Sequence, residues 1–161
     1  MMSFTFIPST AQHMTEELAI LNSNPYYNRL NKGKEHITAS ELQTEQAEVR
    51  KLGAERRLIC WDDIPIGIVE WLPLNPEDGY PWLGLYMLHS RLHRTGYGAA
   101  ALRELERLLL ATGMTELRLA VLLENEPAHA FWKKQQFNYV SPSVTEDGQA
   151  VVIYEKQLER F

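Results

Sequence analysis

The hydrophobic pattern along the first part of the chain predicts a strand followed by a helix. Phe4–Ile7 is an apolar run that a proline ends, which is typical of a short strand. Apolar residues then recur at helical spacing to about Leu21, and Ser9 or Thr10 is a suitable N-cap. The aromatic stretch 22–30 is rich in turn-forming residues, so we interpret it as an irregular segment.

A second helix and a hairpin are predicted next. Thr38 is a plausible N-cap, and Glu41 three residues later completes a capping box for a helix that runs to about Leu52. Arg56–Trp61 and Pro65–Leu72 are short β-type runs. Because only a short acidic turn separates them, they are expected to pair as a hairpin.

The middle of the chain continues with a loop, a strand and an amphipathic helix. Residues 73–81 contain three prolines and a glycine and predict a loop, whereas Trp82–His89 is typical of a strand. The following apolar face has helical spacing and consists of Ala99, Leu102, Leu105, Leu109 and Thr112. Gly113 comes next, where a left-handed residue commonly ends a helix.

The last third of the chain predicts a buried strand, a short helix and a closing hairpin. Residues 117–123 alternate in a strand pattern, and because the second face is also mostly apolar we expect a central strand. Pro127 suits the first turn of a helix to about Gln136. Tyr139–Val144 and Val151–Leu158 flank a turn and form the final hairpin.

This order of elements predicts one α/β (α+β) domain over residues 1–161. We expect a mixed, mostly antiparallel sheet of six to seven strands with about four helices. The helix near residue 100 connects two strands by a crossover, so this pair is expected to be parallel.

Composition narrows the function classes. The chain is 45% hydrophobic and has no apolar run of the roughly 20 residues that a membrane helix needs, so no membrane partner is expected. A net charge of -5 argues against a nucleic-acid partner. Cys60 is the only cysteine, which fits a reducing, cytoplasmic location. His89 and His93 are four residues apart but span a strand end and a loop, so no metal site is predicted.

The stretch Gly96-Tyr97-Gly98 lies between a predicted strand and a predicted helix start. Free N–H groups and the helix dipole favour an anion at such a place, although a plain turn would have the same sequence. Gly96, Gly98 and Ala101 also satisfy the dinucleotide fingerprint G-x-G-x-x-G/A. We reject a dinucleotide fold because hairpin strands, rather than the first strand of a βαβ unit, precede the loop.

Residues 89–140 resemble the core of the GNAT superfamily of N-acetyltransferases. His93–Gly98 matches the family motif R/Q-x-x-G-x-G/A, with histidine in the first position. The second family motif, N-x-x-A-x-x-F-Y-x-x-x-G-F, is matched by Asn125, Ala128, Phe131, Trp132 and Phe137. The resemblance is strongest over residues 65–140 and implies an acetyltransferase that transfers the acyl group directly from acetyl-CoA.

The resemblance also implies a cofactor site. It implies a sheet that splays between its fourth and fifth strands, with the thioester in the gap. The pyrophosphate is expected on backbone amides of the glycine loop, the pantetheine arm along the fourth strand, and an aromatic wall on the far side. The implied cofactor residues are Met87, Leu88, His93, Arg94, Thr95, Gly96, Tyr97, Gly98, Ala99, Asn125, Ala128, Phe131 and Trp132.

Two further departures from the family pattern affect the expectations. Gln136 replaces the usual glycine, which we interpret as a local change of turn. Trp132 replaces the tyrosine that is often the general acid, and an indole N–H cannot transfer a proton. Either the thiolate leaves without help, or Tyr97, Tyr139 or Ser90 substitutes.

Acyl transfer to an amine requires a base and a donor to the oxyanion. Glu70, which lies among apolar residues that raise a carboxyl pKa, is the first candidate for the base, and Glu124 is the second. A backbone N–H near Leu88 is the candidate oxyanion donor. A solvent-facing role for Glu70 and a capping role for Glu124 are the structural alternatives.

The acceptor is expected to be a primary amine of a small molecule or peptide. Candidate acceptor-binding residues are Tyr26, Tyr27, Trp71, Trp82 and Tyr86, for each of which core packing is an equal alternative. Alternative functions are an acyl-CoA-binding sensor and a protein-lysine or N-terminal acetyltransferase. The assembly is left open, with a homodimer allowed.

Overall fold

The computed structural model describes residues 2–159. The strands in this range are β1 (Phe4–Pro8), β2 (Glu55–Trp61), β3 (Ile64–Leu72), β4 (Trp82–Leu88), β5 (Glu116–Leu122), β6 (Asn138–Val144) and β7 (Ala150–Gln157). The α-helices are α1 (Met14–Asn22), α2 (Pro25–Lys32), α3 (Ala39–Leu52), α4 (Tyr97–Ala111) and α5 (Glu126–Lys134). Short 3-10 turns precede α1 and α4.

The strands form one sheet in the order β1-β2-β3-β4-β5-β7-β6. All neighbouring pairs are antiparallel except β4 and β5, which are parallel and are connected by α4. The predicted mixed sheet with one crossover is therefore confirmed. β5 lies between β4 and β7, as expected for a strand that is apolar on both faces.

β4 and β5 separate soon after they begin. They pair only at Trp82 with Arg118 and at Leu83 with Leu119. From Gly84 onwards, β4 has no partner on its β5 side, so backbone N–H and C=O groups there are available to a ligand. The splay predicted between the fourth and fifth strands is confirmed.

A bulge in β4 marks the beginning of this split. Glu70 pairs with Leu85 and Trp71 pairs with Leu83, so Gly84 is an extra residue that opposes no residue of β3. A bulge bends its strand and re-aims the neighbouring side chains. Gly84 is therefore the residue at which β4 turns away from β5.

Helices cover both faces of the sheet over two hydrophobic clusters. The α4 side is packed by helix residues Leu102, Leu105 and Leu109 against strand residues such as Val69 and Leu119. On the other face, Ile20, Leu21 and Leu42 pack against Leu58, Ile68 and Met87. Among residues 2–159 no helix has the length and apolar content needed to cross a membrane.

The stretch 22–30, interpreted as irregular from the sequence, is mostly helical. Pro25 occupies the first turn of α2, where a missing N–H costs nothing, and Gly33 ends the helix with a φ of 75°. These are ordinary start and stop signals, and the aromatic and amide residues between them concealed the helix. Residues 2–159 therefore contain five α-helices rather than about four.

The capping box predicted for the helix ending at Leu52 is present. The Thr38 hydroxyl accepts a hydrogen bond from the Glu41 N–H at 3.2 Å, and the Glu41 carboxylate accepts one from the Thr38 N–H at 3.0 Å. These two bonds satisfy two donors that a helix start leaves without partners.

Gln136 does not change the turn after α5. It adopts the left-handed conformation, with a φ of 70°, that glycine adopts readily. The Phe137 N–H donates to the Trp132 carbonyl at 3.0 Å, and the Gln136 N–H donates to the Lys133 carbonyl at 3.0 Å, which is a Schellman turn. The expected change of turn is thus wrong, because the backbone keeps the geometry and bears the strain.

Candidate active site

A cleft of about 1000 Å³ passes through the sheet where β4 and β5 diverge. One end is lined by the start of α4 and by α5, and the other by α2 and the turn between β6 and β7. Because the walls are two strands of one sheet, the split itself creates the cleft.

The start of α4 offers an anion site at the first end. Arg94 and Gly96 have φ values of 62° and 89°, which curl the loop before the helix. The first hydrogen bond of the helix runs from the Ala100 N–H to the Gly96 carbonyl, so the Gly98 and Ala99 N–H groups have no acceptor within α4. Together with the helix dipole, these donors favour a phosphate.

Tyr86 connects β4 to this turn. Its hydroxyl donates a hydrogen bond of 2.6 Å to the Gly98 carbonyl, and its ring stacks on Phe131 at a centroid distance of 6.3 Å. Burial raises the pKa of the Tyr86 hydroxyl above its usual range, so it stays protonated as a donor. A Cβ on Gly98 would lie 3.4 Å from Phe131, so α4 and α5 approach closely here.

α5 forms the far wall of the cleft. The Asn125 side chain accepts from the Ala128 N–H at 3.3 Å and caps the helix. His129 is buried and holds the end of β5, with Nε2 within 3.1 Å of the Leu122 and Leu123 carbonyls. Trp132 is 8% exposed and packs edge-on against Tyr86.

α2 crosses the opposite end of the cleft and is attached on both sides. The Asn24 side chain donates to the Leu88 carbonyl of β4 at 3.2 Å. On the other side, the Tyr26 hydroxyl donates to the Glu124 carbonyl at 3.2 Å, and the Gln149 side chain donates to the Leu30 carbonyl at 3.1 Å. These bonds make α2 a strap from β4 to the β5 and β7 half of the sheet.

Glu70 lies on β3 directly beside the bulge. Its side chain is 18% exposed, and its Oε1 accepts a hydrogen bond of 2.8 Å from Arg56. Burial, the largest influence, raises the pKa of the Glu70 carboxyl above its ordinary value, although Arg56 opposes this rise. The structure thus holds a partly buried carboxylate behind Gly84, a residue that lines the cleft.

Residues 18–137 match the model of the acetyltransferase (GNAT) family. The chain belongs to the GNAT family. Its members are acetyl-CoA-dependent N-acetyltransferases. No curated protein sequence matches the chain.

Solved structures of acetyltransferases share the fold at low sequence identity. An acetyltransferase from Thermus thermophilus is 22% identical with a TM-score of 0.81, and the match covers 97% of each chain. An acetyl transferase from Salmonella typhimurium that modifies the N-terminal serine of a 50S ribosomal subunit protein is 12% identical, with a TM-score of 0.78 and 98% and 96% coverage. An aminoglycoside acetyltransferase in complex with coenzyme A is 17% identical, with a TM-score of 0.78 and 96% and 95% coverage.

The GNAT motifs meet at the cleft. Of the residues predicted to bind the cofactor, those that line it are Met87, Leu88, His93, Arg94, Gly98, Asn125, Ala128, Phe131 and Trp132. Thr95, Gly96, Tyr97 and Ala99 form the curled loop and first turn of α4 beside it. The Leu88 carbonyl is within 3.2 Å of His93 Nε2 and closes the end of β4 against this loop.

The acceptor candidates separate into two groups. Tyr26, Tyr27 and Tyr86 line the cleft. Trp71 is buried in the cluster under α4, and Trp82 donates from Nε1 to an Asp78 carboxylate oxygen at 2.8 Å, so both lie outside the cleft. The Glu124 side chain is exposed and also lies outside the lining.

Three residues of the site were missed from the sequence. Gly84 is a glycine inside a strand, which can indicate a bulge or a close backbone approach. Arg56 is a charged residue at the start of an apolar strand, a weak signal of a buried ion pair. Gln149 gave no signal, because its contact with α2 joins residues 119 positions apart.

Proposed function

We propose that this GNAT family member transfers the acetyl group of acetyl-CoA to a primary amine of a small molecule or peptide. The observation that carries the proposal is the split between β4 and β5, whose cleft extends from the amides at the start of α4 to Gly84, directly behind which the Glu70 carboxylate lies. One cleft thereby offers a phosphate site, an unpaired strand edge and a base.

The residues at the first end of the cleft fit coenzyme A. The pyrophosphate would be held by the backbone amides from His93 to Ala99, where Gly96 and Gly98 leave the donors uncovered. The arm would lie along the unpaired edge of β4 at Met87 and Leu88, with Asn125 and Phe131 opposite. Acetyl-CoA, when bound there, supplies the acetyl group as an activated thioester.

Glu70 is the proposed base. The attacking amine must be neutral, so its ammonium proton has to move to an acceptor. Glu70 lies next to the narrow end of the split, at Gly84 and Leu85, and burial raises the pKa of its carboxyl, which makes it a better proton acceptor than an exposed glutamate. The Leu88 N–H stays our candidate donor to the acyl oxygen.

No acid replaces the missing tyrosine directly. Trp132 packs into the aromatic wall, and its indole N–H is too weak an acid to transfer a proton. Among the three substitutes considered, Tyr139 is exposed on β6 and Tyr97 packs edge-on against Trp61. Ser90 lines the cleft, so we favour it where a proton donor is needed.

The strap over the cleft favours a small acceptor. α2 is attached on both sides of the split, so a long polypeptide cannot lie across this end without breaking those bonds. Tyr26 and Tyr27 would contact the acceptor at this end, whereas Tyr86, also predicted to bind the acceptor, is bonded to Gly98 at the end proposed for coenzyme A. A protein N-terminus that inserts end-on remains the alternative, and the cytoplasmic location and the homodimer stay predictions.

Calorimetric titration with acetyl-CoA tests the cofactor site. We expect micromolar binding by the wild type and none by Gly98→Trp, because an indole would fill the gap between α4 and Phe131. Ala111→Trp, at the exposed far end of the same helix, is the matched control and should bind normally. Absence of binding by the wild type would overturn the proposal.

Thiol release from acetyl-CoA with a panel of amines tests catalysis. The panel contains monoamines, polyamines, amino sugars and short peptides. Turnover of at least one amine above the rate without amine is expected. Binding of acetyl-CoA without any turnover would instead support an acyl-CoA sensor.

A further inference from the structure

A buried ion-pair network holds Glu70 through Arg56. At its centre Glu17 of α1 has a fully buried side chain. One Glu17 oxygen accepts from Arg56 Nε at 2.8 Å, and the other accepts from the Gln46 side chain at 2.6 Å and from the Ser9 hydroxyl. Each oxygen of this carboxylate is therefore held by a donor, so its position is fixed.

Arg56 connects this fixed carboxylate to Glu70. Its side chain is 6% exposed, and while Nε bonds Glu17, Nη1 donates to Glu70 Oε1 at 2.8 Å. Glu45 lies 3.5 Å from Nη2. A guanidinium is planar and rigid, so the two carboxylates that it bonds have a defined mutual orientation. Glu17 thus orients Arg56, and Arg56 orients Glu70.

The second oxygen of Glu70 is left for the cleft. Within residues 2–159 no donor contacts Oε2. A Cβ on Gly84 would lie 3.1 Å from this oxygen, which is tighter than most real contacts. Because Gly84 lines the cleft and has no side chain, Oε2 lies directly against the backbone of the wall at this point.

We propose that Arg56 and Glu17 are positioning residues for Glu70, and that Gly84 is the opening through which Glu70 Oε2 takes a proton from the acceptor ammonium. In this step the N–H bond of the ammonium breaks and an O–H bond forms on Oε2, which leaves a neutral amine and a neutral carboxylic acid. The inference rests on the proposed function, because it assigns partners to the same base.

The charges around Glu70 predict opposite effects for the two positioning residues. The groups that face it are Glu17, Arg56, Glu45 and Tyr27, and Lys32 lies 3.9 Å from Glu45. Arg56 lowers the pKa of Glu70, whereas Glu17 raises it. Loss of the Arg56 charge should therefore raise the Glu70 pKa, and loss of the Glu17 charge should lower it.

Carbon-13 NMR of the Glu carboxyl groups in the full chain measures this directly, with Glu70→Gln used to assign the signal. We expect Glu17→Gln to lower the Glu70 pKa and Arg56→Met to raise it. Glu48 is an exposed residue on the same helix as Glu45, so Glu48→Gln is the control and should leave the Glu70 pKa unchanged. Unchanged or same-direction shifts in the two variants would overturn the positioning role.

Arg56→Lys keeps the experiment informative if Arg56→Met does not fold. A lysine keeps the charge but cannot bond both carboxylates in one plane. We expect a kcat loss of at least about 10-fold with an unchanged Kd for acetyl-CoA, because a small displacement of a catalytic group is costly. Wild-type kcat in Arg56→Lys would overturn the positioning role.

Gly84→Ala tests the opening. The added methyl group meets Oε2, so kcat with an amine from the panel should fall at least about 10-fold while the NMR pKa shows that Glu70 still titrates. A wild-type kcat in Gly84→Ala would overturn the role of Gly84 as the opening.

If the wild type acetylates no amine, the proposed function fails, and the NMR shifts alone decide the positioning role. If the wild type is active and Glu70→Gln keeps its pH profile, only the role of Glu70 and its partners fails.

Discussion

Opposing influences set the protonation of Glu70. Burial disfavours the charged carboxylate and raises its pKa, and Glu45 and Glu17 act in the same direction. Arg56 stabilises the charged form, but burial is the larger effect. Glu70 is consequently protonated at a higher pH than an exposed glutamate, and below that pH it cannot accept a proton from the acceptor.

We therefore expect kcat for amine acetylation to fall as the pH is lowered through the raised pKa of Glu70. Glu70→Gln should lower kcat by about 10²–10⁴-fold and abolish this acid limb. The measurement is the pH–rate profile of thiol release, with Glu124→Gln for comparison. Loss of the limb in Glu124→Gln and its retention in Glu70→Gln would make Glu124 the base.

At the level of elements, α4 and α5 end in the same Schellman turn made by different residues. After α4, the Met114 N–H donates to the Leu109 carbonyl at 3.2 Å, and Gly113 has a φ of 96°. After α5, Gln136 occupies the position of Gly113. A side chain in the left-handed region carries strain that glycine avoids, so the two turns have different stabilities.

Substitution of Gln136 and of Gly113 should change the free energy of unfolding in opposite directions. Gln136→Gly should raise the free energy of unfolding by about 0.5–1 kcal/mol, because the strain is relieved. Gly113→Ala should lower it by about 1 kcal/mol, because alanine is forced to a positive φ. Urea unfolding measures both changes. A destabilised Gln136→Gly variant would mean that the glutamine side chain contributes more than its backbone strain costs.

The strap formed by α2 is the second element with a specific role. Tyr26→Phe removes only the hydroxyl that donates to the Glu124 carbonyl, at a surface position that is 45% exposed. We expect a higher KM for the amine with an unchanged Kd for acetyl-CoA, since Tyr26 lies at the end of the cleft opposite the start of α4. Tyr139→Phe, also an exposed tyrosine, is the control. An altered Kd for acetyl-CoA would show that α2 acts on the whole cleft.

At the scale of the whole molecule, the split divides the sheet into two halves that are joined by few backbone hydrogen bonds. β1 to β4 form one half and β5 to β7 the other, and among residues 2–159 the strands β4 and β5 that join them pair at only two positions. A ligand that fills the cleft would contact both halves and bind only the folded chain. Its binding free energy then adds to the stability of the fold.

Acetyl-CoA should accordingly raise the melting temperature. At about 100 times its Kd the ligand adds about 2.7 kcal/mol, which corresponds to roughly 5–10 °C for a domain of this size. Thermal unfolding followed by tryptophan fluorescence measures the shift, and Gly98→Trp should show none. A shift of equal size in that variant would place the ligand outside the cleft.

Local signals in the sequence predicted most of the elements. The capping box at Thr38, the glycine after α4 and the alternation in β5 each act within a few residues, so their physical causes are contained in short stretches. α2 was the exception, although Pro25 and Gly33 marked its ends. Its polar and aromatic residues hid a helix that is stabilised by tertiary contacts, such as the hydrogen bond of 2.8 Å from the buried Asn28 side chain to the Leu21 carbonyl of α1, rather than by propensity.

The sequence by itself determined the order of strands and helices, the glycine turn at the start of α4 and the family, because these depend on spacing along the chain. Tertiary structure alone decided that Arg56 lies between Glu17 and Glu70, which are 39 and 14 positions away. It also placed Gly84 at the bulge and α2 across the cleft. Such contacts depend on strand register and helix docking, and no local pattern encodes which distant side chains will meet.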